Sequence, residues 1–521
     1  MSIFDDYIPN HKHEGAIVIP MMDVPIRAAL IIGLLGMVLE FAAIFITAYS
    51  VRRALHSGVL ILTAFAFTTL LSLSPSVPTA LIAFVAFYRL LNSMRVLAGR
   101  MHERHSILVV RRSSRYLLTY QAVTVVLLII SLLFTISIHT WLYLILTLAV
   151  IVALILALST RRTLAKSKIK PHEDFIPDED LPTLSVCIPA RNETEDLSHC
   201  LVSVIASDYP KLEIIVLDDC SHDKTSEIIK GFAQDGVRFI AGNPPARNWV
   251  AKNQAYQALA DAASGELLLF CGVDTRFRPE TLRSMVATMQ KRKKRMLSIL
   301  PLMKLRNRQA ALVQPMRYWW ELALPRRLFN RPPVLSTCWI IQATSLKKLG
   351  GFSAVSNSIV PESYLAHELT KIDRYSFMRS SGKLVVITGK KLEEQVQTAI
   401  RTRYPQLRKR PEAVAVLAFM EISCLVAPAA IFIAGFFTPL GGIWLLSGVC
   451  IVLLAYIQLR ILKACGQEDL SFGVAVLPIV ICLELGLIHV SMWRYEFGMV
   501  EWKERNICIP VMHYIARLPK A

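Results

Sequence analysis

Charged and polar residues gather where three apolar runs stop. The run LSVCIPA closes on Pro189 and Ala190 and meets Arg191, Asn192 and Glu193. The run LEIIVL meets the paired carboxylates Asp218 and Asp219, and ELLLF stops near Gly272-Val273-Asp274-Thr275. Carboxylates grouped in this way accept hydrogen bonds from hydroxyls and base N–H groups, and they ligate hard cations such as Mg²⁺. Together the clusters read as a nucleotide and metal site.

Such a site needs elements that bring the run ends together. Helical stretches at 195–206, 224–234 and 250–263 separate the apolar runs. That alternation predicts βαβ units and a parallel, buried sheet. Polar residues at the carboxyl ends of its strands then lie where α/β sheets bind ligands.

Composition sets the surroundings. The 521 residues are 54% hydrophobic with a net charge of +19, and mean hydropathy is +0.45. Values this apolar predict an integral membrane protein with one soluble domain. The basic excess sits in short loops beside apolar spans, which favours a membrane over nucleic acid as its cause. The ten cysteines have no metal-ligand spacing and read as reduced, buried thiols.

Residues 1–24 are polar, and 25–160 hold five apolar runs at 25–49, 56–73, 78–92, 116–137 and 139–159. A basic linker covers 161–180, a soluble domain 181–410, and two or three further spans 411–493, before a basic tail at 494–521. The loops after the first, third and fifth runs are basic and the others uncharged. By the positive-inside rule the soluble domain faces the cytoplasm from the cell membrane. The sequence Tyr318-Trp319-Trp320 within 308–324 predicts an amphipathic helix in the membrane interface, or else ordinary domain core.

The residues resemble membrane-anchored family 2 glycosyltransferases, nearest to those that glycosylate carotenoids, hopanoids or ceramide-like lipids. The shared strings are IPARNE (188–193), LDDCSHDKT (217–225), NWVAKNQA (248–255), GELLLFCGVDTRF (265–277), LGGF (349–352), PESYLAHEL (361–369), RTRYP (401–405) and VEWKERN (500–506). The resemblance implies an α/β GT-A fold, a Rossmann-like nucleotide-diphospho-sugar transferase domain inserted between N- and C-terminal transmembrane helices.

It also implies roles. Pro189 to Glu193, with Asp218 and Asp219, would hold the base and ribose. Lys252 and Arg401 would meet the diphosphate. Asp274 would ligate Mg²⁺ or Mn²⁺, and Glu362 would be the general base. The chain departs from the family at Gly272 and Ser363, where the family has Asp in both places. Ser363 cannot act as a base at neutral pH, which leaves Glu362 as the carboxylate of that motif. The family's Gln-x-x-Arg-Trp motif of processive synthases is broken at Gln397 to Arg401, which favours a non-processive enzyme. Arg401, Arg403, Arg408, Lys409 and Arg410 also read as anchors on anionic lipid.

Two readings follow. One is an inverting transferase that moves a sugar from a nucleoside-diphosphate donor to a lipid-embedded acceptor. The other is a catalytically degraded relative that serves as a scaffold or partner subunit.

Overall fold

The computed structural model describes residues 24–43, 49–101, 121–129, 138–169, 175–246, 248–304, 312–325, 332–407, 409, 411–496 and 499–508. The chain forms two compact units, one of residues 1–98 with 109–138 and one of 99–108 with 139–521. The polar start, the basic segment 102–120 and the tail beyond 508 lie outside the described residues.

The first unit contains helices Val24–Ala43 and Tyr49–Leu73 and all but the last turn of Val77–Met101. Glycines let the first two approach closely: a Cβ at Gly33 would lie 2.6 Å from the Phe67 ring, and one at Gly36 would lie 2.4 Å from the Thr63 methyl. The buried carboxylate of Glu40 pairs with Arg89.

In the second unit, a seven-stranded sheet runs in the order β3-β2-β1-β4-β8-β6-β9. The strands are β1 (Leu184–Ala190), β2 (Leu212–Asp218), β3 (Val237–Ala241), β4 (Leu267–Cys271), β6 (Met296–Leu300), β8 (Cys338–Gln342) and β9 (Tyr375–Arg379). β1 to β4 are mutually parallel as expected. β8 runs antiparallel to both neighbours, which makes the sheet mixed. Every residue of β4 is buried, because helices cover both faces of the sheet.

Side chains along β4 alternate between two cores. Leu267, Leu269 and Cys271 join helices Glu195–Ile205 and Thr281–Lys291 on one face. Leu268 and Phe270 face the other, where Tyr256, Phe270, Trp339 and Phe352 pack with ring centroids 4.6–6.1 Å apart. That second core continues into Cys450, Leu454, Ile457 and Ile461 of helix Gly442–Ala464. The sheet and the C-terminal helices therefore share one apolar interior. A small sheet of β5 (Thr275–Phe277), β10 (Val386–Thr388) and β7 (Leu302–Met303) extends from the end of β4.

Four helices among the described residues are long and apolar enough to cross a membrane: His139–Lys166, Ala413–Ala434, Gly442–Ala464 and Leu477–Tyr495. All three C-terminal runs qualify by length and composition. The helix Gln314–Leu322 has Tyr318 and Trp319 buried. Trp319 Nε1 donates to Gln458 Oε1 at 2.7 Å, and Trp320 Nε1 to Glu484 Oε1 at 3.3 Å. Its aromatic residues thus pack against the C-terminal helices, closer to the core reading than to a free interfacial helix.

Candidate functional site

The loops after β1, β2 and β4 come together at the carboxyl end of the sheet. Arg191, which follows β1, is buried and serves the backbone. Its Nε donates to the Lys503 carbonyl at 3.0 Å, and its Nη1 to the carbonyls of Asp219 and Cys220, each at 2.6 Å. Asn192 adopts a positive φ of 49°, a left-handed conformation that Asn tolerates better than most residues. Its N–H donates to Ser221 Oγ and its Oδ1 accepts from the His222 N–H, both at 3.0 Å. Thr194 stands at the start of the next helix without a side-chain cap bond. Cross-links to the β2 loop therefore shape this turn, and no helix cap does.

The carboxylates here are already engaged. Asp218 Oδ1 accepts from the Ser221 N–H at 3.0 Å, and Oδ2 from the Ser226 hydroxyl. Asp219 Oδ2 pairs with Arg505 Nη1 at 2.7 Å, and Glu193 with Lys503 Nζ at 3.0 Å. Burial raises both Asp219 and Glu193 above ordinary carboxylates, against the opposing pull of Arg505 and Lys503 respectively.

Both cations belong to a C-terminal hairpin of β11 (Glu501–Trp502) and β12 (Arg505–Asn506). Its turn residues Lys503 and Glu504 have φ of 47° and 65°, as a two-residue primed turn requires. The string VEWKERN marked this segment in the sequence, but nothing in the string says that it crosses about three hundred residues to seal the β1 and β2 loops.

Asp274 lies beyond β4. Its Oδ2 accepts from the Thr388 hydroxyl at 2.7 Å and lies 3.7 Å from Lys390 Nζ. A Cβ at Gly272 would sit 2.6 Å from Asp274 Oδ1. The glycine therefore makes room for the carboxylate to fold back over its own turn. Burial opposes the charge of Asp274, yet Lys390, the Thr388 hydroxyl and Arg317 together hold it below the usual range.

Glu362 opens helix Pro361–Lys371, with Pro361 in its first turn as expected. The side chain is 2% exposed, and its Oε2 has no hydrogen-bond partner. Burial raises the carboxyl, and Lys252 is the main charge holding it down. An asparagine brings the two together. Asn253 Nδ2 donates to the carbonyls of Val355, Ser356 and Ser358 at 2.8, 3.1 and 2.7 Å. That staples the helix carrying Lys252 to the loop that leads into Glu362.

Lys252 lies 4.9 Å over the Tyr256 ring. Burial pushes it down to about 8, with Arg401, Lys390 and Arg317 adding to the effect and Glu362 opposing it. Arg401 lies 5.4 Å over the Trp502 ring, and burial brings it to about 10. Arg403 departs from the lipid-anchor reading: it is buried and donates from Nη2 to Glu484 Oε2 at 3.1 Å. Arg408 and Arg410 lie outside the described residues. Arg317 and Lys390, with no expected role from sequence, line a common cavity with Thr388 and Arg403.

Among the described residues no three His, Cys, Asp or Glu side chains come together as a metal cluster. Asp274, the expected ligand, stands in no such cluster among the described residues. That fits Mg²⁺ or Mn²⁺ only if phosphate and water complete the shell, as Mg²⁺ commonly accepts.

Residues 185–350 match the model of the family "Glycosyl transferase family 2", and this stretch is a domain of that family. Glycosyltransferase AglE of Haloferax volcanii is 32% identical over 112 residues, 21% of this chain and 36% of the relative. The 4,4'-diaponeurosporenoate glycosyltransferase of Staphylococcus haemolyticus is 30% identical over 102 residues, 20% of this chain and 27% of the relative. The chain thus spans about a third of the length of these relatives. Among solved structures, a mannosyltransferase from Pyrobaculum calidifontis in complex with GDP-Man and Mn²⁺ aligns at 16% identity and a TM-score of 0.44. That alignment covers 65% of this chain and 98% of the other.

Proposed function

We propose that this protein is an inverting, non-processive membrane glycosyltransferase that moves a sugar from a nucleoside-diphosphate donor to a lipid-embedded acceptor. The observation that carries the reading is Glu362: a buried carboxyl with an unpartnered oxygen, just beyond the stretch 185–350 that matches family 2, held by the charges of Lys252 within that stretch and of Arg317. Buried, unsatisfied titratable groups in such a position are what general bases require.

In the reaction, Glu362 takes the proton from the acceptor hydroxyl as that oxygen bonds to the anomeric carbon. The bond from that carbon to the diphosphate breaks on the opposite face, so one displacement inverts the centre. The electron pair leaves with the diphosphate, whose charge Lys252 and Arg401 meet. A divalent cation at Asp274 would supply further neutralisation of that leaving group. The raised carboxyl of Glu362 suits proton transfer near neutral pH. The scaffold alternative gains nothing from an unpartnered carboxylate.

Two features support an acceptor that arrives from a bilayer. Four helices have the length and apolarity to span one, and the domain core is continuous with all four. The domain faces the cytoplasm in this reading. Lys168 is exposed whereas Ser167 is fully buried. A lone cysteine introduced as Lys168→Cys, with the native cysteines removed, should resist a membrane-impermeant thiol reagent in intact cells and react after lysis. Labelling in intact cells would reverse the orientation.

The activity is tested with purified protein, a panel of radiolabelled nucleotide sugars and a lipid extract of the host. A labelled, organic-soluble product is expected. No product with any donor, while Ser363→Asp combined with Gly272→Asp yields one, would establish the degraded relative.

A further inference from the structure

Two membrane-length helices end beside arginines that no carboxylate answers. Helices His139–Lys166 and Gly442–Ala464 start side by side, where a Cβ at Gly442 would lie 2.7 Å from the Tyr143 hydroxyl. They also finish against the same part of the sheet. The Ser167 carbonyl accepts from the Arg379 N–H at 3.0 Å, and the Cys465 carbonyl from the Met303 N–H at 2.8 Å. Arg379 ends β9, opposite Leu300 of β6. Its Nε is buried and has no hydrogen-bond partner. Burial lowers this guanidinium below its usual range, and the charge of Arg460, one turn before the end of Gly442–Ala464, lowers it further. Arg460 Nη1 donates to the Tyr456 hydroxyl at 3.1 Å. Neither arginine makes an ion pair among the described residues. Just past the same helix, the buried Nε2 of Gln467 is a second donor without an acceptor.

Helix capping does not account for these cations. Basic side chains at a helix C-terminus commonly meet its last carbonyls. Here Arg292 already meets those of Lys166 and Lys168, at 3.3 and 2.8 Å. The N–H groups of Cys465, Gly466 and Gln467 meet those of Ile461, Lys463 and Leu462. The two helix dipoles make the place tolerable for a cation without giving it a partner. The lipid-length surface beside it has a direction. Exposed Leu445, Val449, Val452 and Tyr456 form one stripe that leads, at helical spacing, to Arg460. Exposed Leu148, Ile151, Ile155 and Leu158 lead in the same way to Arg162.

We infer that the ends of these two helices, with Arg379 and Arg460, form a binding site for the phosphate of an anionic glycerophospholipid in the leaflet beside the soluble domain. The acyl chains lie along the apolar stripes, and the headgroup phosphate sits between the guanidinium forks, whose geometry matches its oxygens. Basic pockets between membrane helices hold lipid headgroups in this manner. The site ties β9, the edge strand of the sheet, to the bilayer surface. It does not depend on sugar transfer.

The test uses the full chain in nanodiscs of phosphatidylcholine mixed with phosphatidylglycerol. Native mass spectrometry of the released protein reads which lipid stays bound. Phosphatidylglycerol is expected to be retained over phosphatidylcholine. Arg379→Gln and Arg460→Gln should each lower its retention by about tenfold, the loss of one charge-assisted bond. Arg379→Lys should recover part of the loss. Lys230→Gln, which removes an exposed cation at the opposite edge of the sheet, beside β3, should change nothing. An unfolding midpoint equal to the parent's in pure phosphatidylcholine shows that the variants are folded. Should Arg379→Gln lower that midpoint, the half-buried Arg460 decides alone.

Equal retention of the two lipids overturns the site, and so does parent-like retention in the folded glutamine variants. An equal loss in Lys230→Gln would reduce the effect to net charge and overturn it too. The soluble probes are inorganic phosphate and glycerol 3-phosphate, titrated by calorimetry into phosphatidylcholine nanodiscs. If either binds and Arg460→Gln abolishes the binding, the site takes a free phosphate and the lipid assignment falls.

Discussion

The two halves of the site treat charge in opposite ways. On the side of β1 and β2, the carboxylates of Asp218, Asp219 and Glu193 all have partners within the chain, and the hairpin 501–506 supplies two of those partners. On the side of β4 and helix Pro361–Lys371, Glu362 keeps an unpartnered oxygen, and Arg317 and Arg401 have no carboxylate partner among the described residues. A surface whose polar groups are satisfied holds a shape. A surface that keeps them unsatisfied at a cost is where chemistry is expected. The first half therefore holds a fixed shape, which under the proposed function frames the nucleoside, and the second is where that proposal puts the bond changes.

The sharpest break of that contrast is Glu362→Gln. If the open half does the chemistry, turnover falls by about 10²–10⁴-fold, the usual contribution of a positioned base. Donor affinity should stay within a few-fold, because the closed half is untouched. Single-turnover kinetics and calorimetry separate the two quantities. A glutamine variant as active as the parent means that another group removes the proton.

Arg505→Ala attacks the frame. Asp219 would be left buried without its guanidinium, and its carboxyl, already raised by burial, would rise further. The expected cost is about 2 kcal/mol, toward the low side for a broken buried pair because Arg505 is partly exposed. It should appear as a lower unfolding midpoint together with weaker nucleoside binding. Unchanged stability and binding would show that the hairpin is not part of the frame.

A smaller effect is expected from pH. Burial sets Lys252 at about 8, so its charge disappears as pH rises through that value. The charged form attracts the diphosphate. Nucleoside-diphosphate affinity should therefore decline between about pH 7 and pH 9, while free nucleoside affinity stays flat. Lys252→Arg, which stays charged, should flatten the first profile. A parallel decline for the nucleoside would place the titrating group in the frame instead.

The frame was easier to foresee than the reacting half, for a physical reason. β1, β2 and β4 are buried on both faces, so their apolar runs and the polar residues that end them stand out in sequence. The antiparallel β8 was not legible, since an apolar run carries no direction. Pro361 in the first turn fixed the start of the helix that carries Glu362. Arg317 and Lys390 left no such signal, and the string VEWKERN marked Arg505 without giving it a role. A basic residue beside apolar spans is expected on membrane grounds alone, and only tertiary packing separates those that turn inward from those that meet lipid. Arg403 illustrates the ambiguity, with a lipid-anchor position in sequence and a buried partner, Glu484, in the structure.

The smallest expected effect comes from the joint between the halves. Trp502 belongs to the hairpin that frames the nucleoside side, yet its ring lies under the Arg401 guanidinium of the other half, 5.4 Å from centroid to carbon. A cation held over an indole face gains about 0.5–2 kcal/mol, and the flat ring also fixes the plane of the guanidinium. Trp502→Leu keeps an apolar filler but removes that face. Diphosphate affinity should then fall by roughly two- to tenfold, with nucleoside affinity unchanged. In a double-mutant cycle with Arg401→Met, the second substitution should cost less in the Leu background than in the parent, because the ring acts through the guanidinium. Additive losses would mean that Trp502 and Arg401 contribute separately, and that the frame and the reacting half are not coupled through this contact.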